Sequence, residues 1–289
     1  MSIDLLHEKI RKLKNPSMVS FGIKEDAVPP HILAEEPDFA STYVRFCREL
    51  LQGLKGVIPA VRFSFTNFAL LDSLSQLSDL MKQAKQMGYY VLLDSPEIAS
   101  PWSADRAADT IFGADRYPCD GLVISPYIGT DAIKPFLPYC RDDKKDLFVV
   151  LRSPNKSASE LQDLLTGTRL VHYAAADIVS RLGEAIPARC GYSRICAAVS
   201  AGSADSIRTL RNSYRGMFLL VDGLDYPSGN HKNCSYAFDR MGYGAVVCAG
   251  PSVTAAWKEM DSDGTDYVQC AQQAAERMKK NLTRYFTVL

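Results

Sequence analysis

Tyr90–Asp94 reads YVLLD, and runs built like it decide the fold: Leu147–Arg152 (LFVVLR), Met217–Asp222 (MFLLVD) and Ala245–Ala249 (AVVCA). A strand covered on one face alternates apolar and polar side chains. A run that is apolar at nearly every position is covered on both faces, as a strand of a parallel sheet beneath helices is. Working outward, Met18–Gly22, Ala60–Phe65, Gly121–Ser125 and Ile195–Ser200 have the same character, which makes eight strands. Helical stretches lie between them. Asp72 to Met87 places Leu74, Leu77, Leu80, Met81 and Ala84 at three- and four-residue spacing and meets Gly88 as a C-terminal stop. Ser157–Leu165, Ala204–Tyr214 and Asp263–Tyr285 are predicted as further helices, the last with Val268, Ala271, Ala275, Met278 and Leu282 on one face; Pro29–Leu54 contains the first barrel helix.

Eight strands alternating with helices, without a charge-rich or Pro/Ser-rich linker, predict a (β/α)8 TIM barrel forming a single domain over residues 1–289. A doubly wound open sheet is the alternative, but no G-x-G-x-x-G follows the first strand. Residues 1–14 are predicted as an extra helix capping the bottom of the barrel, with Ile3, Leu6, Ile10 and Leu13 on one stripe.

Lys+Arg and Asp+Glu balance at 33 each, so the formal charge is zero, which argues against a broad nucleic-acid or membrane footprint. The eight cysteines form no Cys-x-x-Cys pair and no histidine lies at zinc-finger spacing from one. No signal-peptide core and no run of spanning length is visible, so a cytoplasmic protein with free thiols is expected. His7, His31, His172 and His231 read as surface or packing residues, and no metal site is expected. Asp261–Gly264 (DSDG) reads as the turn before the last helix rather than a calcium loop.

In a barrel of this kind the working residues lie at the C-terminal strand ends. Here those ends carry Lys24, Arg62, Asp94, Ser125, Arg152-Ser153, Ser200, Asp222-Gly223 and Gly250. Cations and carboxylates converging on one mouth suit an anionic ligand, with backbone N–H groups near Gly223, Gly229 and Gly250 able to approach a phosphate. The plainer reading is that Arg62–Asp94 and Arg152 are ordinary rim ion pairs.

At strands 4 and 5 the chain resembles a known family. Val123–Asp131 (VISPYIGTD) followed by Pro135–Leu137 (PFL), and Leu151–Asn155 (LRSPN) followed by Glu160–Gln162 (ELQ), resemble the longer bacterial type of orotidine 5′-monophosphate decarboxylase. Val61-Arg62 with Phe68, Leu92–Asp94 and Ser200–Arg211 continue the resemblance in order, over roughly residues 3–285. The resemblance implies decarboxylation of orotidylate to uridylate in pyrimidine biosynthesis, with no metal and no organic cofactor. A lysine ammonium stabilises the ring carbanion and supplies its proton. The family motif is D-x-K-x-x-D-I, whereas Asp94–Ile98 reads DSPEI, which puts Pro96 at the lysine and shortens the loop. Lys24 and Arg62 stand where the family has a strand 1 aspartate and a strand 2 lysine, Pro154 replaces a serine, and Gly250–Val253 (GPSV) lacks the phosphate-binding arginine.

Carried over residue by residue, the resemblance implies catalytic roles for Asp94, Glu97 and Arg62. It implies substrate contacts from Lys24, Ser125, Arg152, Ser153, Asn155, Asp222, Gly223, Gly250 and Ser252. It also implies a small anionic ligand such as a pyrimidine nucleotide, and a homodimer in which Glu97 reaches toward the partner. With Pro96 in the motif, turnover of orotidylate is expected to be slow or absent. A non-catalytic relative that binds a nucleotide or another anion, and a barrel enzyme with changed chemistry on a phosphorylated substrate, are the alternatives.

Overall fold

The computed structural model describes residues 2–22 and 24–288. The eight predicted runs are all strands: β1 Ser17–Phe21, β2 Ala60–Ser64, β3 Tyr90–Asp94, β4 Gly121–Ile124, β5 Asp146–Arg152, β6 Ile195–Ser200, β7 Leu219–Asp222 and β8 Ala245–Ala249. Every neighbouring pair is parallel, and β1 pairs with both β2 and β8, so the sheet closes in the order β1–β8–β7–β6–β5–β4–β3–β2. Closure excludes the open doubly wound sheet. No described helix is long and apolar enough to cross a membrane.

Alternation along each strand divides the apolar residues between two cores. Val61, Phe63, Val91, Leu93, Val221 and Val247 point outward into the layer beneath the helices. Met18, Ala60, Tyr90, Leu92, Val123, Phe148, Cys196, Phe218, Leu220 and Cys248 fill the lumen. The N-terminal helix Ser2–Leu13 closes the lumen from below, burying Ile3, Leu6 and Ile10 against those same residues. Leu13, predicted on the same stripe, is only half-buried. Each of the three buried side chains contributes roughly 1.5–3 kcal/mol of transfer free energy.

The cap is also held by charge. Arg194 lies between Asp4 of the cap, at 2.7 Å, and Asp146 at the start of β5, at 3.4 Å. Tyr90 donates its hydroxyl to Asp146 Oδ2 at 2.9 Å. Gly121 makes room for that hydroxyl, since a Cβ there would lie 2.6 Å from it. Burial drives the Asp146 carboxyl well above the ordinary carboxylate range, against the pull of Tyr90 and Arg194.

Several boundaries differ from those predicted. Ser125 lies beyond β4, Gly22 beyond β1 and Phe65 beyond β2, where Ser64 accepts a hydrogen bond from the Asn67 N–H and starts the helix Phe65–Leu70. Met217 and Phe218 precede β7, and β5 begins one residue earlier, at Asp146. Pro29–Leu54 holds two helices, Pro30–Glu35 and Phe39–Gly53; the others expected run Leu74–Gln86, Ala204–Ser213 and Tyr267–Thr283.

The largest correction concerns Ser157–Leu165, which is not a helix. It is a 3-10 turn, Lys156–Glu160, running into a two-stranded hairpin, Leu165–Thr166 with Arg169–Leu170. Gly167, at φ +65°, turns that hairpin. The helix of this unit is Val171–Gly183.

Replacing Arg194 with leucine leaves Asp4 and Asp146 buried without their cation. We expect Arg194→Leu to cost about 3–5 kcal/mol in urea unfolding at neutral pH. An unchanged midpoint would show that apolar burial alone secures the cap.

Candidate active site

The inward positions of each strand repeat every second residue, so the rim follows from the layers beneath it. Above Met18 comes Ser20, above Ala60 Arg62, above Leu92 Asp94, above Ala198 Ser200, above Leu220 Asp222 and above Cys248 Gly250. The lower inward layers are apolar and the uppermost one is polar, at the C-terminal end of the barrel.

Arg62 dominates that layer. Its Nη2 lies 2.7 Å from Asp94 Oδ2 on the adjacent strand β3, and its Nη1 lies 2.8 Å from Asp222 Oδ2 on β7. Since β1 and β8 intervene between β2 and β7, the guanidinium bridges the mouth. The three side chains retain 12%, 17% and 24% exposure respectively. Burial works against the Arg62 charge, but Asp222 and Asp94 outweigh it and hold the guanidinium well above its usual pKa. For Asp94 the balance goes upward. Burial, reinforced by Asp222 and Glu97, lifts its carboxyl despite Arg62. Among the described residues, Arg62 Nε and Asp94 Oδ1 are buried without hydrogen-bond partners.

The other nominated residues fall into separate groups. Arg152 makes a bidentate pair with Asp163, at 2.9 and 2.8 Å. Ser153 donates its N–H to Gln162 Oε1 at 2.8 Å and its hydroxyl to Asn155 Oδ1 at 2.6 Å. His172 continues this network: Nδ1 lies 2.8 Å from the Gln162 carbonyl and 3.3 Å from Asp163, while Nε2 lies 3.2 Å from Ser206 Oγ. Burial lowers the His172 pKa, and the Gln162 carbonyl, which can only accept, faces Nδ1. Arg152, Ser153 and Asn155 thus brace the loop after β5 together with Gln162 of the ELQ stretch, and Asp163 and Ser206 join them without having been singled out.

The backbone donors near the expected phosphate position are already in use. The Gly223 N–H donates to Asp222 Oδ1 at 2.8 Å, and the Gly250 N–H donates to the Asp225 carboxylate. Gly223 has φ +77°, and a Cβ there would come 2.2 Å from Pro154, so the β5 and β7 loops meet at that glycine. Ser125 accepts a long contact from the Tyr127 N–H at 3.4 Å. Glu97, exposed beside Pro96, accepts from Ser95 Oγ at 3.0 Å. Lys24 and Ser252 lie apart from Arg62, on the wall of a neighbouring cavity. Among the described residues, no group of three or more His, Cys, Asp or Glu is placed to hold a metal.

No protein-family model matches the chain. Comparison with individual proteins is more informative. The chain is 23% identical over 287 residues to orotidine 5′-phosphate decarboxylase of Clostridium novyi (strain NT), covering 98% of each. It is 27% identical over 254 residues to that of Rhodopirellula baltica, covering 84% of each. Among solved structures, Leishmania donovani OMP decarboxylase superposes with a TM-score of 0.74 at 21% identity, covering 98% of this chain and 99% of that one. Plasmodium berghei orotidine 5′-monophosphate decarboxylase gives 0.76 at 12% identity, covering 98% of both. Over nearly its whole length, the chain is a homologue of proteins named orotidine 5′-phosphate decarboxylase, and it has their closed barrel.

Proposed function

We propose that this protein is an orotidine 5′-phosphate decarboxylase-like barrel of the cytoplasm. In this reading it takes a small anionic ligand, a pyrimidine nucleotide, at its C-terminal rim and turns orotidylate over slowly or not at all. The observation that carries it is the Arg62 guanidinium held between Asp94 and Asp222, with Pro96 following in the motif loop. Loss of carbon dioxide from the pyrimidine ring leaves a carbanion that needs a nearby cation and then a proton. Proline has no side-chain proton. Arg62 holds its protons too tightly to serve as an acid, and its charge is already shared between two carboxylates. General acid assistance is worth roughly 10²–10⁴-fold, and electrostatic stabilisation often more.

A homodimer joined across the rim belongs to the same proposal. Large apolar side chains stand exposed in the connections that follow the strands: Leu70 at 81% at the end of the helix Phe65–Leu70, Trp102 at 72% in a helix after β3, Tyr127 at 46% in the turn after β4 and Leu165 at 71% in the hairpin. All four belong to connections that follow strands, and exposed apolar side chains of this size support a paired face on that side. Glu97, exposed on the loop after β3, is the carboxylate we assign to a cross-subunit contact, one weakened by the shortened loop.

The decisive assay follows the absorbance change as orotidylate becomes uridylate, using protein free of the host's own enzyme. We expect no turnover above background. Robust turnover abolished by Asp94→Ala or Arg62→Ala would overturn the reading, and robust turnover surviving Asp94→Ala would place the chemistry elsewhere. Sedimentation at micromolar concentration should show a dimer, and a monomer would refute the pairing.

Arg62→Met provides a test by stability. It leaves Asp94 and Asp222 facing each other, and we expect a loss of about 2–4 kcal/mol near pH 7.5, the buried-pair figure reduced for partial exposure. A carboxyl whose folded pKa exceeds its unfolded one adds stability at low pH and loses it as pH rises through the folded value. Asp94 is already shifted upward with Arg62 in place, so the deficit should shrink toward pH 5. A deficit independent of pH would mean that the arginine acts by packing rather than charge.

A further inference from the structure

Beside the mouth, a cavity of about 570 Å³ opens between the loops after β1, β7 and β8 and the last helix, Tyr267–Thr283. That volume suits a small organic ligand, for which roughly 300–1,000 Å³ is usual. Three cations from three different elements line it: Lys24 after β1, Lys258 after β8 and Arg277 on the last helix. Lys24 makes no ion pair among the described residues. Lys258 lies 3.4 Å from Asp26, and Arg277 lies 3.9 Å from Glu259, with all four side chains at least 39% exposed. Such long, solvated pairs are weak and readily exchange one anion for another. The third carboxylate on the wall, Asp225, is already engaged by the Gly250 N–H. Leu224 and Met278, both buried, supply an apolar lining beneath the charged rim.

At the mouth itself both terminal nitrogens of Arg62 and the Arg152 guanidinium are held by aspartates, and the Gly223 and Gly250 N–H groups by carboxylates. A dianion arriving there meets acceptors, whereas next door it meets cations held only loosely. We propose that this cavity is the anion subsite of the protein and takes the phosphate of a nucleotide-sized phosphate monoester through Lys24, Lys258 and Arg277. Asp225 then forms the wall between subsite and mouth. The inference rests on the small-anion half of the proposed function and not on the absence of turnover.

Calorimetric titration with uridine 5′-monophosphate, inorganic phosphate and unphosphorylated uridine tests it on the full chain. We expect the monophosphate and phosphate to bind and uridine to bind much more weakly. Lys258→Ala and Arg277→Ala should each weaken the monophosphate about tenfold, as loss of a charge-assisted contact does. Lys82→Ala, which removes an exposed cation of the helix Leu74–Gln86 outside the cavity, should leave that affinity unchanged. The Lys258 and Arg277 side chains are solvent-exposed, and matching thermal midpoints would verify that their variants fold. Binding that falls with Asp94→Asn but not with Lys258→Ala or Arg277→Ala would overturn the subsite while keeping a nucleotide ligand. No heat from phosphate or monophosphate at millimolar concentration would also overturn it, leaving the catalytic argument to the orotidylate assay.

Discussion

A guanidinium placed inside the top of a barrel must find carboxylates, because it cannot lose its charge. Arg62 enforces that constraint on the upper rim. Its two aspartates come from β3 and β7, so strands on opposite arcs of the barrel are tied through one side chain. The lower end is organised alike, with Arg194 between Asp4 and Asp146. The apolar lumen is therefore closed at both ends by an aspartate–arginine–aspartate bridge. The lower bridge is almost wholly shielded and secures the cap helix. The upper one keeps part of its surface open to solvent at the mouth, with 12%, 17% and 24% of the Arg62, Asp94 and Asp222 side chains exposed.

Much of this architecture was legible in the residues. YVLLD and LFVVLR are apolar along nearly their whole length, a pattern with few structural solutions, and all eight runs became strands. Their polar last residues marked the rim because strand parity is strict: once Leu92 and Leu220 face the lumen, Asp94 and Asp222 must as well. The connection after β5 was harder. Ser157–Leu165 carries leucines at helical spacing, but Gly167 allows a hairpin and Arg152 draws Asp163 back toward the strand. Those are contacts between segments, and local periodicity does not report them.

The site divides in the same way. Arg62, Asp94 and Asp222 could be nominated from their positions on strands. The engagement of the Gly223 and Gly250 N–H groups by neighbouring carboxylates could not, because it depends on how two loops fold over each other. His172 read as a packing histidine, and it is buried, but its ring also links the β5 loop to Ser206 on the next helix. Glycines that would be open cradles in isolation are here part of an already satisfied loop structure. The separation between Arg152 and Arg62 has the same origin: both stand at strand ends, but each was claimed by the aspartate its own loop or neighbour could deliver.

The eight free cysteines give the molecule a further property. Cys196 and Cys248 belong to the lumen, Cys248 just below Gly250, whereas Cys47, Cys119, Cys140, Cys234 and Cys270 belong to the layer under the helices. All seven are buried, and burial raises the Cys196 thiol well above its usual pKa. Cys190, beside the cap, is the partly exposed one, with its thiol pushed up to about 11. Alkylating reagents act on thiolates they can reach. The rate at which each sulfur is captured in the native protein is therefore set by how often its surroundings open. Lumen, outer layer and cap each contain a reporter, so mass spectrometry of alkylated peptides can time the opening of the three regions separately in a chain that needs no added probe.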